Sequence, residues 1–127
     1  MNLQITAKQL ELRPEIKKYA EQKFGKLARY VPRHARKTVH LELILKEQKG
    51  KKSNPFSCEA NLTLPGEKVT VEEATVNIFA AIDIVEAKVK NTLRRYKDKH
   101  GHKRTNKRQV LERFRRLADR DFWGSQN

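Results

Sequence analysis

Two hydrophobic periods take turns along this chain. Residues 2–7 (NLQITA) set Leu3, Ile5 and Ala7 against polar neighbours, the period of two that marks a half-buried strand. Residues 13–31 change to helical spacing, with Ile16, Tyr19, Ala20, Phe24 and Leu27 on one face. Pro14 suits a first turn, Glu15 complements the helix dipole, and Pro32 ends the segment. Gly25 is the weak point inside it. Tyr19 and Phe24 read as core, while the pattern leaves Tyr30 between core and surface. Period two returns at 37–46, where Val39, Leu41, Leu43 and Leu45 oppose His40, Glu42 and Lys46. A polar, basic loop fills 47–55. Residues 56–64 then place Phe56, Cys58, Ala60, Leu62 and Leu64 on one face. A turn at 65–67 leads to a short strand at 68–72, with Glu72 and Glu73 at its end. Asn77 is a candidate N-cap for a second helix. In that helix Ile78, Ile82, Val85, Val89, Leu93 and Tyr96 step by three or four residues.

The order β-α-β-β-β-α predicts an α+β fold: a four-stranded mixed sheet with two helices packed on one face. That arrangement buries every apolar stripe at once and is like that of double-stranded-RNA-binding domains. If the first two strands are parallel, their crossover through the first helix should be right-handed. Residues 1–99 form this domain. Residues 100–127 form a basic C-terminal tail in which Val110, Leu111, Phe114, Leu117 and Ala118 predict an amphipathic helix over 106–121.

Charge adds what periodicity does not. The 127 residues carry 29 Lys and Arg against 15 Asp and Glu, a formal +14 with a pI near 10.2. Such a surface attracts polyanions, nucleic acid first among them. A single cysteine permits no intramolecular disulfide and suits a reducing compartment. No apolar run is long enough for a bilayer, and MNLQITAKQL lacks the pattern of a leader, so the expected location is the cytoplasm. Catalysis finds little support. His34, His100 and His102 fall in loops and His40 faces outward on its strand. The pair His100 and His102 has no second Cys or acidic pair to complete a metal site. Cys58 reads as a core residue rather than a nucleophile. No glycine pattern cradles a phosphate. The expectation is a non-enzymatic protein with no catalytic residue, metal, cofactor or small-molecule substrate.

On a helical wheel the second helix borders its apolar stripe with cations. Lys90, Arg94 and Lys97 lie on one flank, Lys88, Arg95 and Lys99 on the other, and Asn91 between them on the outward face. Like charges at this density cost a helix stability, and a solvated face gains nothing from them. A phosphate-lined partner releases counterions on meeting them. The first helix adds Lys23, Lys26 and Arg29, with Lys17 and Lys18 before them. With both helices on one face of the sheet, these residues form one basic surface, extended by Arg33, Arg36 and Lys37. Such a surface fits structured RNA through its backbone rather than its bases.

The first-helix run KFGKLARY (23–30) and the second-helix run FAAIDIVEAKVKNTLRRYKDK (79–99) carry a family likeness. With the element order, they resemble the bacterial ribosome hibernation promoting factors and protein Y. The second-helix pattern is an aromatic, then A-A-I-D, then cations ending near K-D-K, here Phe79 to Asp83, Lys88, Arg95 and Lys97 to Lys99. The likeness covers about residues 1–99 and implies a binder of the small ribosomal subunit. It would sit in the channel for messenger RNA and the A- and P-site tRNAs and silence idle ribosomes. The matched positions that would contact rRNA phosphates are Lys23, Lys26, Lys88, Arg95, Lys97 and Lys99, with Asp83 orienting nearby cations or capping local structure; the basic surface read above adds Arg29, Lys90 and Arg94 to the candidate RNA-binding residues. Asn77 stands where the family often has Asp, and Asn91 where Arg is common. The 28 residues after Lys99 lack the strand patterns of the long form's ribosome-pairing domain, so the expectation is a short form, monomeric when free. The rival readings are a structured-RNA-binding domain without ribosome specificity, and a membrane or partner helix at 106–122 using Phe122 and Trp123.

Overall fold

A computed structural model describes residues 1–101. Strand β1 (Asn2–Lys8) leads to helix α1 (Pro14–Gly25) and a 3₁₀ helix at Lys26–Tyr30. A short 3₁₀ turn at Arg33–Ala35 precedes β2 (His40–Glu47), β3 (Phe56–Leu64) and β4 (Glu67–Thr75). Helix α2 (Ile78–Tyr96) closes the domain and runs on into a π-helical turn at Lys97–Gly101. The sheet order is β1-β2-β3-β4, with β1 parallel to β2 and the other pairs antiparallel, so the mixed sheet is as the pattern predicts. The tail helix expected over 106–121 lies outside the described residues.

Register explains the core. Ile5, Leu43, Ala60 and Val71 form one row across the sheet, and Leu3, Leu41, Leu62 and Val69 the next. Both rows lie under the helices, because the side-chain period of two keeps these positions on one face. Ile16, Ala20 and Phe24 of α1 and the entire predicted stripe of α2 are buried against them. The other sheet face is polar. There Lys8, Lys46 and Lys68 are matched by Glu42, Glu59 and Glu72.

Three boundaries differ from the sequence reading. The helix expected over 13–31 is α-helical only to Gly25 and then tightens into a 3₁₀ helix. The tighter turn still seats Leu27 and Val31 in the core, both 1% exposed, before Pro32. Strand β2 begins at His40, since Arg36, Lys37 and Thr38 form a turn that follows the short 3₁₀ segment. Strand β4 runs to Thr75, so Glu72 and Glu73 lie within it rather than at its end. Cross-strand pairing with all of β3 extends it beyond what its own charged sequence suggests.

Both ends of α2 are fixed. At its start the Asn77 Oδ1 accepts from the Phe79 N–H at 2.8 Å, satisfying one orphan donor. At its end the Tyr96 hydroxyl donates to the Pro65 carbonyl at 3.1 Å. Pro65 and Gly66 form the two-residue β3–β4 turn, and Gly66 takes φ +85°, which side-chain-bearing residues rarely adopt.

Candidate nucleic-acid interface

Of the nine predicted contact residues, α1 carries Lys23, α2 carries Lys88, Lys90, Arg94 and Arg95, the 3₁₀ helix carries Lys26 and Arg29, and the π-helical turn carries Lys97 and Lys99, in unlike electrostatic states. Among the described residues only three ion pairs form: Arg13–Glu11, Lys23–Asp83 and Lys88–Glu73. Lys26, Arg29, Lys90, Arg94, Arg95, Lys97 and Lys99 pair with no carboxylate among the described residues. Lys26, Arg29, Arg94, Arg95 and Lys99 are exposed, and Lys90 and Lys97 half-buried.

Lys88 and Lys23 differ from the rest. The Lys88 Nζ lies 2.7 Å from Glu73 Oε2, across the gap from α2 to the edge strand β4. Glu73 continues the row Ala7–Leu45–Cys58, so its side chain rises on the helix side at the sheet margin. Lys23 Nζ lies 3.4 Å from Asp83 Oδ1 and 5.7 Å from the centroid of the Tyr19 ring. The Tyr19 hydroxyl donates to the same carboxylate oxygen at 2.5 Å. This confirms that Asp83 orients neighbouring groups, and it corrects the reading of Tyr19 as plain core. Its ring packs edge-on against Phe79 at 5.1 Å, while its polar end is spent on Asp83. The Asp83 hydrogen bond raises the Tyr19 pKa above its usual value, and the Asp83 charge raises that of Lys23.

Tyr30, which the pattern left unassigned, is the hub of the opposite flank. The Arg29 guanidinium lies 4.9 Å from its ring centroid, Arg94 at 5.2 Å and the Lys90 ammonium at 5.3 Å. Arg29 Nη2 also donates to the Tyr30 hydroxyl oxygen at 2.9 Å. That hydrogen bond, ahead of the contributions of Lys90 and Arg94, holds the phenol below its usual pKa. The sequence signal for this role was present: Tyr30 lies three residues beyond the buried Leu27 in the same 3₁₀ helix, one turn of which returns a side chain to nearly the same face.

Other chemistry stays away from this surface. A surface cavity of about 620 Å³ opens among Leu10, Ile16, Phe56, Ile78 and Phe79, and none of the nine cations lines it. No group of three or more His, Cys, Asp or Glu residues is placed to hold a metal among the described residues. His102 of the candidate pair lies outside them. Cys58 is fully buried, and burial, with a smaller push from Glu59, raises its thiol to about 12. It is thus a core residue, as its strand position predicts. No helix among the described residues is long and apolar enough to cross a membrane.

The chain is 29% identical over 104 residues to the ribosome hibernation promotion factor of Lactococcus lactis subsp. cremoris, covering 80% of this chain and 52% of that protein. It is 27% identical over 107 residues to the factor of the same name from Picosynechococcus, covering 84% and 54%. The chain therefore spans about half the length of the curated relatives it matches. Among solved structures it resembles the N-terminal domain of Thermus thermophilus protein Y, with a TM-score of 0.62, 29% identity, and coverage of 76% of this chain and 99% of that one. It shares its fold with a ribosomal subunit interface protein from Coxiella burnetii, with a TM-score of 0.61 at 23% identity over 77% of this chain and 99% of that one. Residues 3–101, nearly the whole described domain, match a single family profile, and the chain belongs to the sigma 54 modulation protein / S30EA ribosomal protein family.

Proposed function

We propose that residues 1–99 bind the small ribosomal subunit and keep idle ribosomes from translating, with residues 100–127 as a separate basic tail. The bound position is the channel for messenger RNA and the A- and P-site tRNAs, and the contacts are to rRNA phosphates. The observation that carries this reading is the charge asymmetry between the two faces. The open sheet face is balanced, whereas seven of the nine predicted cations on the helix side have no carboxylate partner among the described residues. Unpaired cations on a rigid surface are what counterion release on a folded RNA rewards. The likeness to factors named for ribosome hibernation supports the choice of RNA. The protein acts by occupancy, in the cytoplasm where ribosomes are, with no reaction or cofactor involved.

Co-sedimentation with isolated small subunits, large subunits and a generic RNA duplex at near-physiological salt tests this. Stoichiometric pelleting with the small subunit, lost when tRNA and messenger RNA fill the channel, is the expected result. Equal binding to all three would leave a structured-RNA-binding domain without ribosome specificity.

A further inference from the structure

We infer that Tyr30 is a positioning residue that gathers Arg29, Lys90 and Arg94 into one preformed site for a phosphodiester. The inference rests on the RNA-binding reading above and adds a mechanism to it. The three cations come from two elements. Arg29 lies in the 3₁₀ helix that Tyr30 closes, and Lys90 and Arg94 stand one turn apart on α2. Left alone they repel one another, and the Lys90–Arg94 spacing is unfavourable within the helix itself. All three lie about 5 Å from the centroid of a single ring. The negative face of that ring attracts cations, and its hydroxyl oxygen accepts from Arg29.

The result is a concentration of positive charge without a counter-anion. Lys23 and Lys88 each have a carboxylate, while none of these three does among the described residues. Two guanidinium forks beside an ammonium match the oxygens of a phosphate, which arginine recognises in a bidentate manner. Because the ring holds the cations before RNA arrives, less side-chain entropy is lost on binding. Free phosphate has the same chemistry. The phosphodiester is favoured because the cluster lies on the helix-side surface that also carries Lys26, Arg95 and Lys99, which suits a polymer crossing several cations.

The test uses the full chain with Tyr30→Phe, Tyr30→Leu and the double variant Lys90→Met/Arg94→Met. Lys68→Gln, on the opposite sheet face, is the control. Side-chain NMR of the arginine Nε–H groups is followed during titration with inorganic pyrophosphate and, separately, with a short RNA duplex. Small-subunit affinity and thermal midpoint are measured alongside. Arg29 and Arg94 should shift and saturate with the duplex in the wild type, in Lys68→Gln and in Tyr30→Phe. Tyr30→Leu should weaken duplex and small-subunit binding roughly tenfold while the conservative Phe restores it. In the double variant the remaining reporter, Arg29, should lose its saturating shift. This variant keeps the proposal testable if Tyr30→Leu unfolds, since neither of its positions belongs to the buried stripe of α2.

Wild-type duplex affinity, read at Arg29, in Tyr30→Leu or in the double variant would overturn the proposal. So would saturation by pyrophosphate with none by the duplex, which would make the site one for free phosphate. If small subunits fail to bind while the duplex arm behaves as expected, the ribosome reading falls and the Tyr30 site stands. Small-subunit binding insensitive to Tyr30 would have the opposite meaning.

Discussion

The Tyr19 hydroxyl donates to Asp83 Oδ1 at 2.5 Å, and the same oxygen faces Lys23 at 3.4 Å. One carboxylate on α2 thereby ties down two side chains of α1 that are four residues apart. This pins the relative position of the two helices that carry the proposed RNA surface.

Replacing Asp83 by Ala removes both the acceptor for Tyr19 and the charge that faces Lys23. Asp83 is about half exposed, so solvent screening limits the loss. The expected cost in urea unfolding is about 1 kcal/mol. Tyr19→Phe should cost a similar amount. The double variant should cost clearly less than the two single costs combined, because both remove one interaction. Simple additivity would show that the bond contributes nothing to the folded state.

Stability should fall on the alkaline side, and Cys58 should lead the fall. Its thiol is raised to about 12 in the fold, against 9.0 for the free group. As pH rises the unfolded chain loses this proton first, so the stabilisation is complete below pH 9.0 and is lost towards pH 12. Three pH units correspond to about 4 kcal/mol. Tyr19 and Tyr96, both raised, act in the same direction above pH 10.0, whereas Tyr30, lowered, opposes the fall as pH approaches 10.0 from below. Cys58→Ala should cost about 1 kcal/mol at neutral pH, at the mild end for a small cavity. It should flatten the decline between pH 9 and 10, where Tyr19 and Tyr96 contribute little and Tyr30 acts in the opposite sense. Urea midpoints across that range are the measurement, and an unchanged slope in Cys58→Ala would refute the assignment.

Periodicity made the fold legible because β1, β2 and β3 each alternate apolar and polar residues, and α2 carries an unbroken stripe from Ile78 to Tyr96. What it missed lies in cross-element contacts. The switch from α to 3₁₀ geometry after Gly25 depends on how Leu27 and Val31 seat in the core. The length of β4 depends on pairing with β3, against its own run of Glu72 and Glu73. The candidate site was legible as a set of cations on one surface. Their partners were not, because Glu73 lies on a strand and Tyr30 on another helix. A wheel of α2 alone shows neither, so Lys88 and Lys90 look equivalent although one is ion-paired and the other sits over an aromatic ring.

The cap at Asn77 gives a separate prediction. Its Oδ1 accepts from the Phe79 N–H, and the Thr75 hydroxyl oxygen accepts from the Asn77 N–H at 3.0 Å, so the entry to α2 is held by two successive short-range bonds. Asn77→Ala should cost about 1 kcal/mol. Asn77→Asp should preserve the cap and gain a few tenths of a kcal/mol from the helix dipole at low salt. Thermal unfolding of the two variants at low and high salt checks both signs. A loss in Asn77→Asp as large as in Asn77→Ala would mean that the side-chain bond is not what holds the helix start.

The Glu73–Lys88 pair bears on how much each cation would contribute to the proposed RNA binding. Lys88 already has a carboxylate at 2.7 Å, so its charge is compensated in the free protein, whereas Arg95 forms no ion pair among the described residues. Counterions condensed on RNA are released only by charge that the protein has to spare, with log K falling by about 0.7 to 0.9 per contact for each unit of log salt. Arg95→Gln should therefore flatten the salt dependence of small-subunit binding by about one contact. Lys88→Gln in the wild-type background should leave it nearly unchanged. Glu73→Gln should free Lys88, raise affinity about two- to fivefold at low salt, and steepen the slope by up to one contact. In that background Lys88→Gln should reverse the gain. Sedimentation or anisotropy titrations at several salt concentrations read all four slopes. If Lys88→Gln alone flattens the slope as much as Arg95→Gln, the ion pair opens when RNA is met, and Glu73 does not restrain binding.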